Sequence, residues 1–285
     1  MKSICVKTNH PKSIQYLLNK LDNLQIDNVY FSCKKFRNYQ NIIIHFTGKK
    51  TAYFFQEISI LLGNLIIEIF EKDLISKIIF SEYFYFDQDE RIQILNNTIY
   101  DLQDSEECVY PKEKSFKLLC NDFYEYLKEN KSILLKGFIT FRIGNFIEIL
   151  EEQVDKSVNK FLVQREYSEF IELLKMYVNT EKSSCNIVHL IYFDSKPVIL
   201  DKDKNIIKIE ENLFNAKYLS DITFSTNDYA LNTLLTLIPK KIYIHLIDNN
   251  IDEFITTIKL IFENRVCYCT DCNICKMYRK RNALI

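Results

Sequence analysis

Four cysteines fall within nine residues near the end of the chain: Cys267, Cys269, Cys272 and Cys275. Thiolates are soft ligands that select zinc, iron–sulfur clusters or copper(I). The C-x2-C spacing occurs twice, at Cys269/Cys272 and Cys272/Cys275, and a two-residue gap lets a tight turn aim both sulfurs at one ion. Structural zinc sites usually pair two such knuckles across a longer loop. That loop is missing here, so four sulfurs from one short segment around one ion would be strained. Three of them plus an outside ligand is the easier arrangement, and His245, His189, Cys185 or a second chain could supply it. The spacing also matches the opening of a bacterial ferredoxin run. The fourth cysteine followed by proline is absent, so zinc is favoured over an iron–sulfur cluster. Two other readings stay open. The basic segment Lys276–Arg281 follows directly, and positive charge favours a reactive thiolate. Alternatively, the thiols are simply free at a terminus.

His245 closes the apolar run Ile242–His245. In open α/β sheets, ligands gather beyond the carboxyl ends of the strands, which makes His245 a candidate binding residue. Arg142 and the polar pair Arg165/Glu166 are candidates for an anion pocket, since guanidinium forks suit anions. A buried Arg–Glu pair between helices is the structural alternative for the latter, because buried charges are normally paired. No catalytic residue is assigned. The chain has no G-x-x-x-x-G-K-[ST], G-x-G-x-x-G, G-x-S-x-G or H-E-x-x-H.

These candidates need elements to place them. Lys2–Lys7 reads as a strand, Pro11 opens a helix, and Asn28–Lys35 with Asn41–Phe46 suggests a hairpin. A helical middle follows, with stripes at Phe55, Ile58, Leu62, Leu65 and Ile69, and near Asp89–Leu102 and Lys114–Leu127. A long stripe runs through Ile143, Phe146, Leu150, Val154, Val158 and Phe161. Gln164–Tyr167 is a candidate bend in it, and a second apolar set follows at Phe170, Leu173, Leu174 and Tyr177. The last third alternates: strands at Ile187–Phe193, Val198–Leu200, Ile206–Ile209, Lys241–Leu246 and Val266–Tyr268, helices at Tyr229–Ile238 and Ile251–Phe262. That alternation suggests crossovers and a partly parallel sheet. The chain therefore reads as α+β. Its expected divisions are a small α/β unit at 1–50, a helical region at 51–180, a second α/β unit at 181–266, and a cysteine-rich basic tail at 267–285.

Composition narrows the function classes. The 37 basic and 38 acidic residues leave a net charge of −1, so a whole-surface attraction to nucleic acid or anionic lipid is not expected. No apolar run reaches the ~18 residues of a membrane span, and Met1–Lys7 lacks a signal-peptide core. A cytoplasmic protein with reduced thiols is the expectation. An odd count of nine cysteines also fits poorly with a complete disulfide framework.

Several stretches of the C-terminal half resemble the YtxC-like sporulation proteins of endospore-forming Firmicutes. They are Gly137–Arg142, Val154–Val158 through Glu166–Ile171, Leu234–His245, and Arg265–Cys267 running into Cys272–Cys275. The run Pro239-Lys240-Lys241-Ile242…His245 with the cysteine tail is the most specific part. It adds Lys240 and Lys241 to the candidate ligand-binding residues. A glycine commonly precedes the cysteine of the terminal pair in that family; here the position holds Asp271. The resemblance implies a process, sporulation, and no reaction. The leading expectation is a non-enzymatic protein that binds zinc through its tail. One alternative is an enzyme acting on a phosphorylated or nucleic-acid substrate through Arg142 and His245. Another is a helical interaction module that docks a protein partner or a second copy.

Overall fold

The protein is described from a computed structural model over residues 1–24, 26–103, 108–207, 225–269 and 271–282, with side chains as far as Arg279. It is α+β and divides into two compact units, Met1–Val163 and Gln164–Ile285.

In the first unit, strand β1 (Lys2–Thr8) buries Ile4 and Val6 at alternate positions, as a half-buried strand must. Pro11 opens helix α1 (Pro11–Asp22), and the His10 ring caps it by accepting the Ser13 N–H at 3.3 Å. Strands β2 (Val29–Phe36) and β3 (Tyr39–Phe46) form the expected hairpin, and β3 pairs antiparallel with β1. Helix α2 (Thr51–Leu65) continues through a π-helical turn at Ile66–Phe70 into α3 (Glu71–Glu82), followed by α4 (Gln88–Gln103) and α5 (Lys112–Glu129). A short strand β4 (Ser132–Leu134) and helix α6 (Leu135–Phe141) come next, and sequence periodicity does not reveal that strand. At three residues it is too short to show a period of two. It pairs parallel to β1 and completes the order β2-β3-β1-β4. Buried Ile42, Ile44, Phe54, Ile58, Leu62, Leu119 and Phe123 build the core between sheet and helices. Phe46 stacks on Phe54 at 4.8 Å, and Phe123 on Phe138 at 4.2 Å.

Helix α7 (Gly144–Thr180) runs 37 residues without a break. The helical hydrogen bonding continues through 164–167, since Gln, Arg and Glu are good helix formers and no Gly or Pro interrupts them. The stripe Ile143–Phe161 is buried as expected. The second set differs in phase: Phe170, Leu173 and Tyr177 are exposed, while Ile171 and Val178, two turns apart, are buried in the core of the second unit. Arg165 pairs with Glu169 one turn on, at 3.6 Å, and Glu166 is exposed. The expectation of a buried Arg–Glu pair is corrected for Glu166, which is exposed, while Arg165 meets Glu169 on its own helix, as residues four apart do.

The second unit begins with the hairpin β5 (Ile187–Phe193) and β6 (Lys196–Leu200), whose turn residues Asp194 and Ser195 have φ of 49° and 57°. Left-handed values at both positions match the twist of a two-residue hairpin. Of the strand expected at Ile206–Ile209, Ile206 forms a single antiparallel bridge with Leu200, and 208–209 lie outside the described residues. Helix α8 (Thr226–Leu237) starts with a capping box between Ser225 and Asp228. Strand β7 (Lys241–Leu246), helix α9 (Glu253–Phe262) and strand β8 (Val266–Tyr268) form a parallel crossover. The sheet order is β6-β5-β7-β8, with β5, β7 and β8 parallel. The segment expected to be a basic tail forms helix α10 (Asn273–Asn282).

The two faces of this sheet are unequal. Val188, Leu190, Tyr192, Ile242 and Ile244 pack against α8, α9 and the end of α7 in a core of 15 buried residues. On the other face, α10 lies over a cluster that among the described residues comprises Ile191, Leu200, Ile247, Ile274 and Cys275. A helix of ten residues is marginal by itself, so α10 depends on its contacts with this face, where Phe193, Val198, Cys269, Cys272 and Tyr278 also pack.

Candidate metal centre

His245 sits near the carboxyl end of β7 with a relative exposure of 2%. Cys269 follows β8 directly, and its backbone N–H donates to the Ile244 carbonyl at 2.9 Å, which lays the chain beside His245. Cys272 precedes α10 and Cys275 lies in its first turn. Three-residue spacing across a helix start puts both sulfurs on one side.

These four residues converge. The His245 Nδ1 is 3.3 Å from the Cys275 Sγ and 3.5 Å from the Cys272 Sγ. Cys275 Sγ lies 3.9 Å from Cys272 Sγ and 3.7 Å from Cys269 Sγ, and all four donor atoms fall within 4.8 Å of one another. A tetrahedral zinc ion with bonds of about 2.3 Å to sulfur and 2.0–2.1 Å to nitrogen has edges of about 3.8 Å (S···S) and 3.6 Å (S···N). The four edges given above lie close to these values, so the group could hold a metal ion. The donors fit a divalent ion such as zinc.

The electrostatics favour His245 and Cys272 in their ligating forms and oppose a Cys269 thiolate. Burial, and then the neighbouring His189, lower the His245 pKa to about 4, so its ring is neutral near pH 7 and offers a lone pair. Burial opposes a Cys272 thiolate. The backbone N–H groups of Cys275 and Ile274 and the Cys269 thiol outweigh it and hold the pKa below the ordinary value. Amide groups at a helix start favour thiolate in this way. The Cys269 thiol is pushed up to about 12 by burial and by its hydrogen bonds to the other two sulfurs.

The remaining candidates separate from this group. Cys267 stands opposite Tyr243 in the sheet, two residues short of the level of His245. At about 3.3 Å per residue, that is some 7 Å along the strand, so Cys267 lies outside the cluster. Cys185 points its thiol at the Leu237 carbonyl, 3.9 Å away. Lys240 and Lys241 have exposed side chains at the opposite end of β7, where their backbone N–H groups bond the Cys185 and Asn186 carbonyls. Arg142 caps α6 in the first unit, exposed, with its guanidinium 5.9 Å over the Tyr126 ring. Asp271 is engaged too: Arg279 reaches it at 3.3 Å and Lys276 at 3.9 Å, tying the turn to α10 and using part of the basic charge. Sequence reading treats His189 as a core residue or a ligand, whereas its Nδ1 lies 3.0 Å from the His245 Nε2, behind the ligand. Two histidines on strands expected to be parallel neighbours were the available signal.

No helix among the described residues is long and apolar enough to cross a membrane. No solved structure matches the chain. The uncharacterised protein YtxC of Bacillus subtilis (strain 168) is 21% identical over 209 residues, covering 72% of this chain and 74% of that protein. The YtxC-like family matches residues 56–267. That match begins well before the segments that carry the resemblance in sequence, and it ends at Cys267, just before the three converging sulfurs. It covers more than half of the chain, and the chain belongs to the YtxC-like family.

Proposed function

We propose that this is a non-enzymatic, cytoplasmic, sporulation-associated protein whose second unit carries a structural zinc ion held by His245, Cys269, Cys272 and Cys275. The observation that carries the metal reading is the near-tetrahedral set of distances among one imidazole nitrogen and three sulfurs. Four protein donors fill a tetrahedron and leave no position for water or substrate, the arrangement of structural rather than catalytic zinc. The site also serves the fold: it staples α10, which carries Cys275, to the sheet strand that carries His245. Sporulation as the process rests on the family resemblance. Metal analysis of full-length protein purified anaerobically tests the reading. The expected result is one zinc per chain, with melting lowered by a strong chelator. Less than about 0.2 metal per chain, with melting unchanged by chelation, overturns it.

A further inference from the structure

His245 presents one ring nitrogen to the sulfurs and the other to a second histidine. Its Nδ1 faces Cys272 and Cys275, and its Nε2 is 3.0 Å from the His189 Nδ1, with ring centroids 5.2 Å apart. The parallel register sets this contact. Ile191 stands opposite His245, so His189 lies two residues back on the same face of β5, within diagonal reach of the ring. A nitrogen that binds metal must offer a lone pair, so ligation through Nδ1 leaves the proton on Nε2. That N–H can only donate, and the atom facing it, His189 Nδ1, can accept when the His189 proton sits on its far nitrogen.

We propose that His189 is a positioning residue of the metal centre, accepting the Nε2–H of His245 and so fixing it as an Nδ1 ligand. This rests on the metal reading above. Partners behind a ligating histidine are usually carboxylates, carbonyls or water. A neutral imidazole has a physical advantage here. Three thiolates and a divalent ion already sum to −1, and a carboxylate would add a second negative charge in a largely buried site.

The test uses the full-length chain loaded with Co(II) or Zn(II), alongside His189→Leu and His189→Gln. H189L should bind about 10–100-fold more weakly in competition with a chromophoric chelator, and its Co(II) visible bands should shift. H189Q, whose side-chain oxygen can accept the same proton, should recover most of the affinity and the wild-type spectrum. Nitrogen-15 NMR of the zinc-loaded wild type provides a readout that needs no variant to fold: His245 should be metal-bound at Nδ1 and protonated at Nε2. Ligation through Nε2, or H189L matching wild type in affinity and spectrum, overturns the role of His189 while leaving the metal site intact. A wild-type chain that takes up no metal overturns both.

Discussion

At the scale of single residues, the cluster makes an unequal demand on the cysteines. Cys275 is 1% exposed and central, within 4 Å of the other two sulfurs and of His245. Cys267, one strand position before Tyr268, is not among the converging donors. Cys275→Ser and Cys272→Ser should each remove stoichiometric zinc from the purified protein, while Cys267→Ser should keep it, as read by elemental analysis. A different residue carries a pH signature. Glu71 begins α3 half-buried, and burial raises its carboxyl above the ordinary 4.5, with Lys112 pulling partly the other way. Its folded pKa therefore exceeds its unfolded one. The stability this gives is present below about pH 4.5 and is lost as pH rises through the folded value. The charged carboxylate is thus a burden at neutral pH. Glu71→Gln should raise the melting temperature at pH 7, and the gain should vanish near pH 4, as followed by thermal melts across that range.

At the scale of elements, α2 and α5 meet through a glycine. A Cβ on Gly63 would lie 2.8 Å from the Cys120 Sγ and 3.0 Å from the Phe116 ring. Gly63→Ala gains about 1 kcal/mol of helix propensity. Overpacking costs about 1–3 kcal/mol, and the added methyl would press on both Cys120 and Phe116. The single variant should be destabilised in urea melts. Adding Cys120→Ala should return it to the stability of Cys120→Ala alone or above it, because the obstructing sulfur is gone. The start of α8 depends on Ser225, whose side chain accepts the Asp228 N–H at 3.2 Å while the Asp228 carboxylate accepts the Ser225 N–H at 2.8 Å. Ser225→Ala should cost about 1 kcal/mol in the same assay.

At the scale of the whole molecule, each unit has its own core, and the four candidate donors all belong to the second. A ligand that binds only the folded state stabilises the part that holds it. Chelation should therefore lower the melting of the second unit and raise hydrogen exchange in β7, β8 and α10, leaving β1, β3 and α2 at their original protection. Exchange rising uniformly across both units after chelation would contradict this division.

Much of this protein is legible in its sequence. The strands at Ile187–Phe193 and Lys241–Leu246 and the buried stripe from Ile143 to Phe161 are local patterns, and a period reports contacts between residues two, three or four apart. The cysteine spacing likewise announces a knuckle, because Cys272 and Cys275 need only one turn of helix to converge. Beyond that range, sequence reading loses its grip. It misplaced the second stripe of α7, since which side of a helix is buried depends on what packs there. It leaves His245, His189, Cys185 and a second chain open as the outside ligand and includes Cys267, since the answer depends on strand register. The crossover from β7 through α9 to β8 brings Cys269 beside His245 and leaves Cys267 two residues short. The sequence by itself determined the thiol chemistry and most of the elements. The tertiary structure alone decided that His245 joins the three sulfurs with His189 behind it, because those contacts span 30 and 56 residues and exist only once parallel strands are in register.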